Sequence, residues 1–294
     1  MKPPRDLLPF LVTLAAVGLL SLMDAVMKLA ALAAGTYATL VVRNGFSLAI
    51  VGPVYLATRK GRPTRQVLRL HALRGVVIAG MSFTFFWGLT RLPLAEAIAL
   101  SFTAPLVALY LAAVLLGEKI ARGAIAASLL GLAGVLIIAW GRMDGPAADE
   151  GTALGIAAVL VSSLLYAWNL VLQRQQALVA KPVEVATFQT IVSGFVFLLF
   201  APWFFTWPDT ASLPWIAAAA AMSVGGAMLL VWAYARAEAQ ALIPLEYSGF
   251  LWAMLFGWLF FREPVSAPTL VGAVLIVAGC WIAAPRKPPE LTAA

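Results

Sequence analysis

Within the first apolar run of this 294-residue chain, Ser21, Asp24 and Lys28 are spaced three and four residues apart, so a helix brings them to one face. Asp24 precedes Lys28 by four residues, the favourable order for an ion pair along a helix. Arg43 follows in the next run. Two cations against one carboxylate leave a single positive charge, which suits the carboxylate of a small ligand. The same residues would also serve as an internal salt-bridge network locking the two segments together. A second polar stripe, Ser162, Tyr166, Asn169 and Gln173, recurs at spacings of four, three and four without a charge, and Gln189 and Ser193 follow in the next run. Such a stripe lines a cavity or glues helices together. Glu246 offers a carboxylate for a ligand ammonium, for proton exchange, or for pairing with Arg236.

This is the chemistry of recognition, and the parts for catalysis are missing. His71 is the only histidine and stands in a basic segment that reads as surface. With Cys280 as the only cysteine, an internal disulfide is impossible, and with one histidine and no DxxD run neither a metal site nor a Ser/His/Asp set is expected. No GxxxxGK[ST] phosphate cradle occurs, which excludes an ATP-driven pump built from this chain alone. Nothing resembles a channel's filter loop or charged ring.

Aromatic residues accompany the polar ones. Phe83, Phe86 and Trp87 share a broad helical face, and Trp168, Trp232, Tyr247 and Trp252 stand in other apolar runs. Packing and cavity lining both use such residues. Together with the polar groups they describe a largely apolar cavity with a few fixed polar contacts, as an amphipathic small molecule needs.

The elements that must position these groups are membrane helices. The chain is 63% hydrophobic and 11% charged, with a mean hydropathy of +0.94, whereas soluble domains are about 25% charged. Ten apolar runs of spanning length are legible, at about 8–33, 38–57, 71–90, 94–116, 121–140, 151–173, 184–206, 212–234, 240–261 and 266–284. They are unbroken rather than alternating, which argues for helices and against a barrel. With the N-terminus in the cytoplasm, 15 of the 20 Lys and Arg residues fall on the cytoplasmic side and three on the outer side. That bias places both termini inside. It also accounts for the net charge of +7 without any nucleic-acid partner.

Residues 71–139 align with 216–284 without a gap: Gly80 meets Gly225, Trp87 meets Trp232, Arg91 meets Arg236, and Glu118 meets Glu263, each 145 residues on. The chain therefore reads as two five-helix halves, 1–140 and 152–285, joined by a polar connector at 141–151 and followed by a tail at 286–294. Five being odd, the second half enters the membrane from the opposite side. An inverted repeat of this kind places its ligand site near midplane between the halves. Gly80, Pro105, Gly225 and Pro244 are hinge candidates for alternating access, or static kinks that shape the cavity. Ala127, Gly131 and Gly134, with Gly272 and Gly279, read as close-packing surfaces on the fifth and tenth helices, for scaffold or homodimer contact.

The ten helices, the 5+5 repeat, the "GE" and "RE" knuckles at Glu118 and Glu263, and the opening "SLMDAVMK" with "VVRNGF" resemble the drug/metabolite transporter superfamily, specifically its EamA-type ten-helix exporters. The resemblance covers nearly the whole chain. It implies a cofactor-free, non-enzymatic secondary transporter of the bacterial inner membrane, with a small-molecule cargo and the lipid bilayer as its partners. It extends to the bacterial exporters of amino acids, aromatic ones included. The alternatives it leaves are nucleoside-like cations such as S-adenosylmethionine, or toxic compounds; a membrane-embedded transferase is the distant one.

Overall fold

The computed structural model describes residues 7–59, 61, 63–116, 122–144, 150–236, 242 and 245–283. Glu118, Pro244, residues 145–149 of the connector and the C-terminal tail lie outside the described residues. The described chain is helical: α1 (Leu8–Ala34), α2 (Thr36–Thr58), α3 (Arg65–Leu89), α4 (Leu94–Ser101), α5 (Ala104–Leu116), α6 (Arg122–Met143), α7 (Glu150–Ala177), α8 (Pro182–Phe204), α9 (Leu213–Tyr234), α10 (Gly249–Phe261) and α11 (Ala267–Ala283), with one 3₁₀ turn at Thr210–Ser212. Six helices are long and apolar enough to cross a membrane, namely α1, α2, α3, α8, most of α7, and α9 with the preceding turn. Shorter apolar helices occupy the other four runs.

Helix ends follow local chemistry. α1 and α2 meet at Gly35, whose φ of 81° is open to glycine. α3 begins with Thr64, whose hydroxyl accepts from the Val67 amide. The fourth run is broken, with α4 ending at Ser101 and α5 beginning at Ala104. The Ser101 and Thr103 hydroxyls donate to the carbonyls three residues back, at 2.7 Å each. Pro105 is the second residue of α5, where its missing N–H is no loss. It therefore follows a break rather than kinking a continuous helix.

α10 ends in a tight reversal. Arg262 adopts a left-handed φ of 55°, and the Glu263 N–H returns to the Gly257 carbonyl at 3.2 Å, a closure typical of helix C-termini. A Cβ on Gly257 would stand 3.2 Å from Glu263 Oε2, so this glycine leaves room for the carboxylate to fold back.

The helices pack in pairs: α1 with α9, α3 with α7, α2 with α8, α6 with α11, and α10 with α4. Secondary pairings join α2 with α9, α3 with α8, α1 with α10, and α5 with α7. Lipid supplies no hydrophobic drive for such contacts, so close approach of small residues carries them. Gly134 and Gly272 do this between α6 and α11: a Cβ on either would lie 2.5–2.6 Å from the other's carbonyl oxygen. Of the small residues expected to form a scaffold or homodimer surface, Gly134 and Gly272 are thus packed against each other within the chain. The outward faces of the same helices carry Leu129, Leu132, Leu136, Trp140, Val271, Val274 and Trp281, all exposed.

Candidate functional site

A cavity of about 900 Å³ opens among the C-terminal ends of α1, α3 and α8 and the start of α2. Its walls are largely apolar and aromatic: Tyr37, Phe83, Trp87, Phe197, Phe200 and Phe204, with Ala79 and Gly80 on α3. Arg91 lies at its rim, its guanidinium 3.3 Å from the Trp87 ring centroid and its Nη1 donating to the Trp87 carbonyl at 2.9 Å. Tyr37 donates to the Phe197 carbonyl and meets that ring edge-on, which ties α2 to α8. Of the residues expected to line a site, Phe83 and Trp87 are here. Phe86 is turned into the core at 4% exposure, with Arg43 over its face at 5.5 Å.

The charged residues of α1 do not pair as the spacing suggested. Lys28 is buried, and its ammonium donates to Glu263 Oε1 at 2.5 Å and to the Leu92 carbonyl at 2.7 Å, with the Phe261 ring 4.7 Å away. Glu263 uses its second oxygen to accept the Leu94 amide at 2.7 Å, so the carboxylate also caps the positive end of α4. Lys28 thus ties α1 to α4 and the α10–α11 turn rather than to Asp24. Asp24 interacts instead with Arg43 across α1 and α2. Nearby, Glu96 accepts from Thr269 at 3.3 Å and pairs with Arg142 at 3.6 Å, joining α4, α6 and α11. Ser21 faces α10, its hydroxyl 3.5 Å from the Gly249 carbonyl. Tyr247 meets Phe102 edge-on.

The polar stripe on α7 turns toward α3. Asn169, Gln173 and Gln176 each present an amide oxygen to Arg74, at 2.8, 3.2 and 2.7 Å. Ser162 donates to the Met81 carbonyl at 2.9 Å. The amide of Gln176 meets His71 Nδ1 at 2.8 Å, and His71 Nε2 meets Glu184 at 3.2 Å. The His71 ring stacks on Phe188 with centroids 4.8 Å apart. His71 and Arg74, read from sequence as part of a basic surface, are 1% and 6% exposed. Their burial follows from the partners α7 and α8 supply, and the spacing of three between them was the available signal.

The remaining candidates disperse. Tyr166 lies within electrostatic reach of both Arg74 and Glu246. Glu246 accepts from the Tyr234 hydroxyl, whereas Arg236 stacks on Trp232 at 4.1 Å and donates to its carbonyl at 3.1 Å. Arg236 is therefore not the partner of Glu246. Trp168 is off the stripe and exposed, and Gln189 is half-buried on α8. On α8, Ser193 donates to Asn44 at 2.9 Å. Gly80 has Leu165 at 3.3 Å from a virtual Cβ, and Gly225 has Leu19 at 3.7 Å. Among the described residues no cluster of three or more potential metal ligands occurs.

An aromatic-walled cavity between membrane helices, with buried charges below and beside it, belongs to a polytopic membrane transporter. The EamA-like transporter family model matches residues 7–140 and again 153–284, and the chain belongs to that family, within the drug/metabolite transporter superfamily. The "Pseudopaline exporter CntI" of Pseudomonas aeruginosa is 26% identical over 231 residues, 77% of this chain and 79% of that one. The "Riboflavin transporter" of Rhizobium johnstonii is 27% identical over 241 residues, 79% of this chain and 74% of that one. A solved crystal structure aligns over 94% of this chain and 96% of its own with a TM-score of 0.61 at 23% identity, a likeness of fold.

Proposed function

We propose that the protein is a secondary transporter that exports amino acids, neutral and aromatic ones foremost, by alternating access across a bacterial inner membrane. The observation that carries this reading is the cavity: about 900 Å³, walled by aromatic rings, with arginine at its rim. That combination suits a ligand with an apolar side chain and a carboxylate. The arginine at the rim, Arg91, argues against a nucleoside-like cation. The named relatives carry different cargoes, so pseudopaline-like and flavin cargoes are the comparison set.

Ten spans in two inverted halves underlie the mechanism in this reading. The pairing of helices supports it: exchanging each span for its counterpart five later turns α1·α9 into α7·α3, turns α2·α9 into α8·α3, and returns α2·α8 and α6·α11 to themselves. The two Arg-on-Trp stacks repeat at the matched positions, and the family model matches each half. With both termini cytoplasmic, the cavity opens outward. The His71–Gln176–Arg74 contacts between α3 and α7 then close the opposite end, and these would separate in the inward state. Gly80 and Gly225 are the hinge candidates, related by the repeat and free of tight backbone contact.

The test is counterflow of a labelled amino-acid panel in proteoliposomes with no imposed ion gradient. Robust exchange of phenylalanine or another neutral amino acid is expected, with nucleoside-like cations failing to compete. Folded protein that exchanges no amino acid but does carry a flavin or a cationic nucleoside would replace this cargo assignment.

A further inference from the structure

The hydrogen bonds where α3 meets α7 and α8 have only one possible direction. Arg74 carries donors alone, so the Gln176 oxygen, 2.7 Å from its Nη1, accepts. The Gln176 amide nitrogen therefore faces His71 Nδ1 at 2.8 Å and, having only hydrogens to offer, donates to it. Nδ1 is then the bare nitrogen of the ring. The ring hydrogen sits on Nε2, 3.2 Å from Glu184. The chain from Arg74 to Glu184 thus holds His71 neutral and in one tautomer.

A second proton on His71 breaks that chain. A hydrogen on Nδ1 points at the Gln176 amide hydrogens, donor against donor. Gln176 can present its oxygen instead only by turning its NH2 toward Arg74, which has no acceptor. Either way one contact between α3 and α7 is lost. His71 is 1% and Arg74 6% exposed, and an unpaired donor is costly at such burial. Two cations three residues apart on α3 also repel each other. Glu184 on α8 responds in the opposite sense, because it gains an ion pair with the imidazolium. Protonation therefore shifts the hold on α3 from α7 to α8.

Among the described residues, the charged and titratable groups around the ring are Arg74 on α3, Glu184 on α8 and Tyr55 on α2, while α7 presents the neutral amide of Gln176. Tyr55 stands behind Phe188, which it meets edge-on and which stacks on the His71 ring. Glu184, its side chain 21% exposed, also lines a second cavity of about 330 Å³ with Tyr55, Arg59 and Lys181. This cavity lies at the opposite ends of α2, α3 and α8 from the large one. The His71–Glu184 pair is thus approached from the side that the α3–α7 contacts close.

We infer that His71 is a proton-binding site of the transport cycle: a proton taken onto Nδ1 from water on the cytoplasmic side undoes the Gln176 bridge to Arg74 and favours the inward-open state. This rests on the alternating-access reading above, in which these contacts close the cytoplasmic end, and it is independent of the cargo.

The experiment reads the closure with no cargo present. Ser162 on α7 is buried and donates to the Met81 carbonyl of α3. It lies seven residues from Asn169, about 10 Å along the helix beyond the Arg74 contacts. Ser162→Cys in a Cys280→Ser background therefore reports on the interface past the closure. An impermeant maleimide is applied to the cytoplasmic face of inside-out vesicles at about pH 8 and about pH 6, within the range where histidine changes charge. Each rate is divided by that of the same reporter carrying His71→Gln, so the thiol's own pH dependence cancels. The ratio should rise about tenfold on acidification, the effect of one buried donor left unpaired. Gln176→Glu, whose carboxylate accepts from Nδ1–H and from Arg74 alike, should track His71→Gln, and it becomes the reference if that variant does not express. A ratio that stays level or falls on acidification overturns the proton site and leaves alternating access standing. No labelling from the cytoplasmic face in any variant at either pH overturns the inward opening, and the proton site with it.

Discussion

Replacing Glu263 with alanine should destabilise the protein more than any other single change to a charged side chain. Lys28 is 4% exposed, and its ammonium would lose the only carboxylate within hydrogen-bonding distance among the described residues. Breaking a buried pair from one side costs about 3–5 kcal/mol, and here the Leu94 amide also loses its acceptor at the start of α4. Replacing both partners, Lys28→Met with Glu263→Met, should recover much of the loss, because no charge is then stranded. Thermal unfolding in detergent, followed by size-exclusion fluorescence, reads both effects. If Glu263→Ala melts with the wild type, the pair is ornamental and the turn after α10 is held by its backbone alone.

Gly134→Leu should be nearly as damaging, through packing rather than charge. The new Cβ would lie 2.5 Å from the Gly272 carbonyl oxygen and 2.7 Å from the Ile276 side chain. Backbone oxygen cannot rotate aside, so α6 and α11 must separate. Overpacking typically costs about 1–3 kcal/mol, and a helix pair forced apart along its closest contact belongs at or above the upper end. Gly225→Ala is the control, since its Cβ meets only the end of Leu19 at 3.7 Å. Its stability should stay near wild type in the same assay. A fully stable Gly134→Leu would contradict the α6–α11 contact.

These two sites show what a linear reading reaches. Charge and hydropathy along the chain marked the apolar runs, and the offset of 145 residues found Trp87 with Arg91 and Trp232 with Arg236, which adopt the same stacked geometry. The repeated glutamate was equally visible. Its partner was not: Lys28 and Glu263 are 235 residues apart, and Asp24, four residues away on the same helix, was the nearer candidate. Helical spacing says which residues share a face but not which neighbour that face meets. Arg74 was hidden for a related reason, because a cation among Arg65, Arg69 and His71 looks solvated until the amides of α7 are set against it. The stripe itself was legible as Tyr166, Asn169 and Gln173, though not that Asn169 and Gln173 hydrogen-bond Arg74. The break at Phe102–Thr103 was also out of reach, since Pro105 signals a disturbed helix without saying whether it bends or restarts.

The most direct test of transport through the described cavity is thiol accessibility at Val196, a wall residue on α8. Cys280 is the only native cysteine, so Val196→Cys in a Cys280→Ser background gives one reporter at the wall. A membrane-impermeant maleimide added outside intact cells should modify it, and an amino acid that the protein exchanges should slow the modification. Modification only from the cytoplasmic face would contradict the outward opening. Labelling unaffected by every exchanged amino acid would contradict passage of the cargo through this cavity.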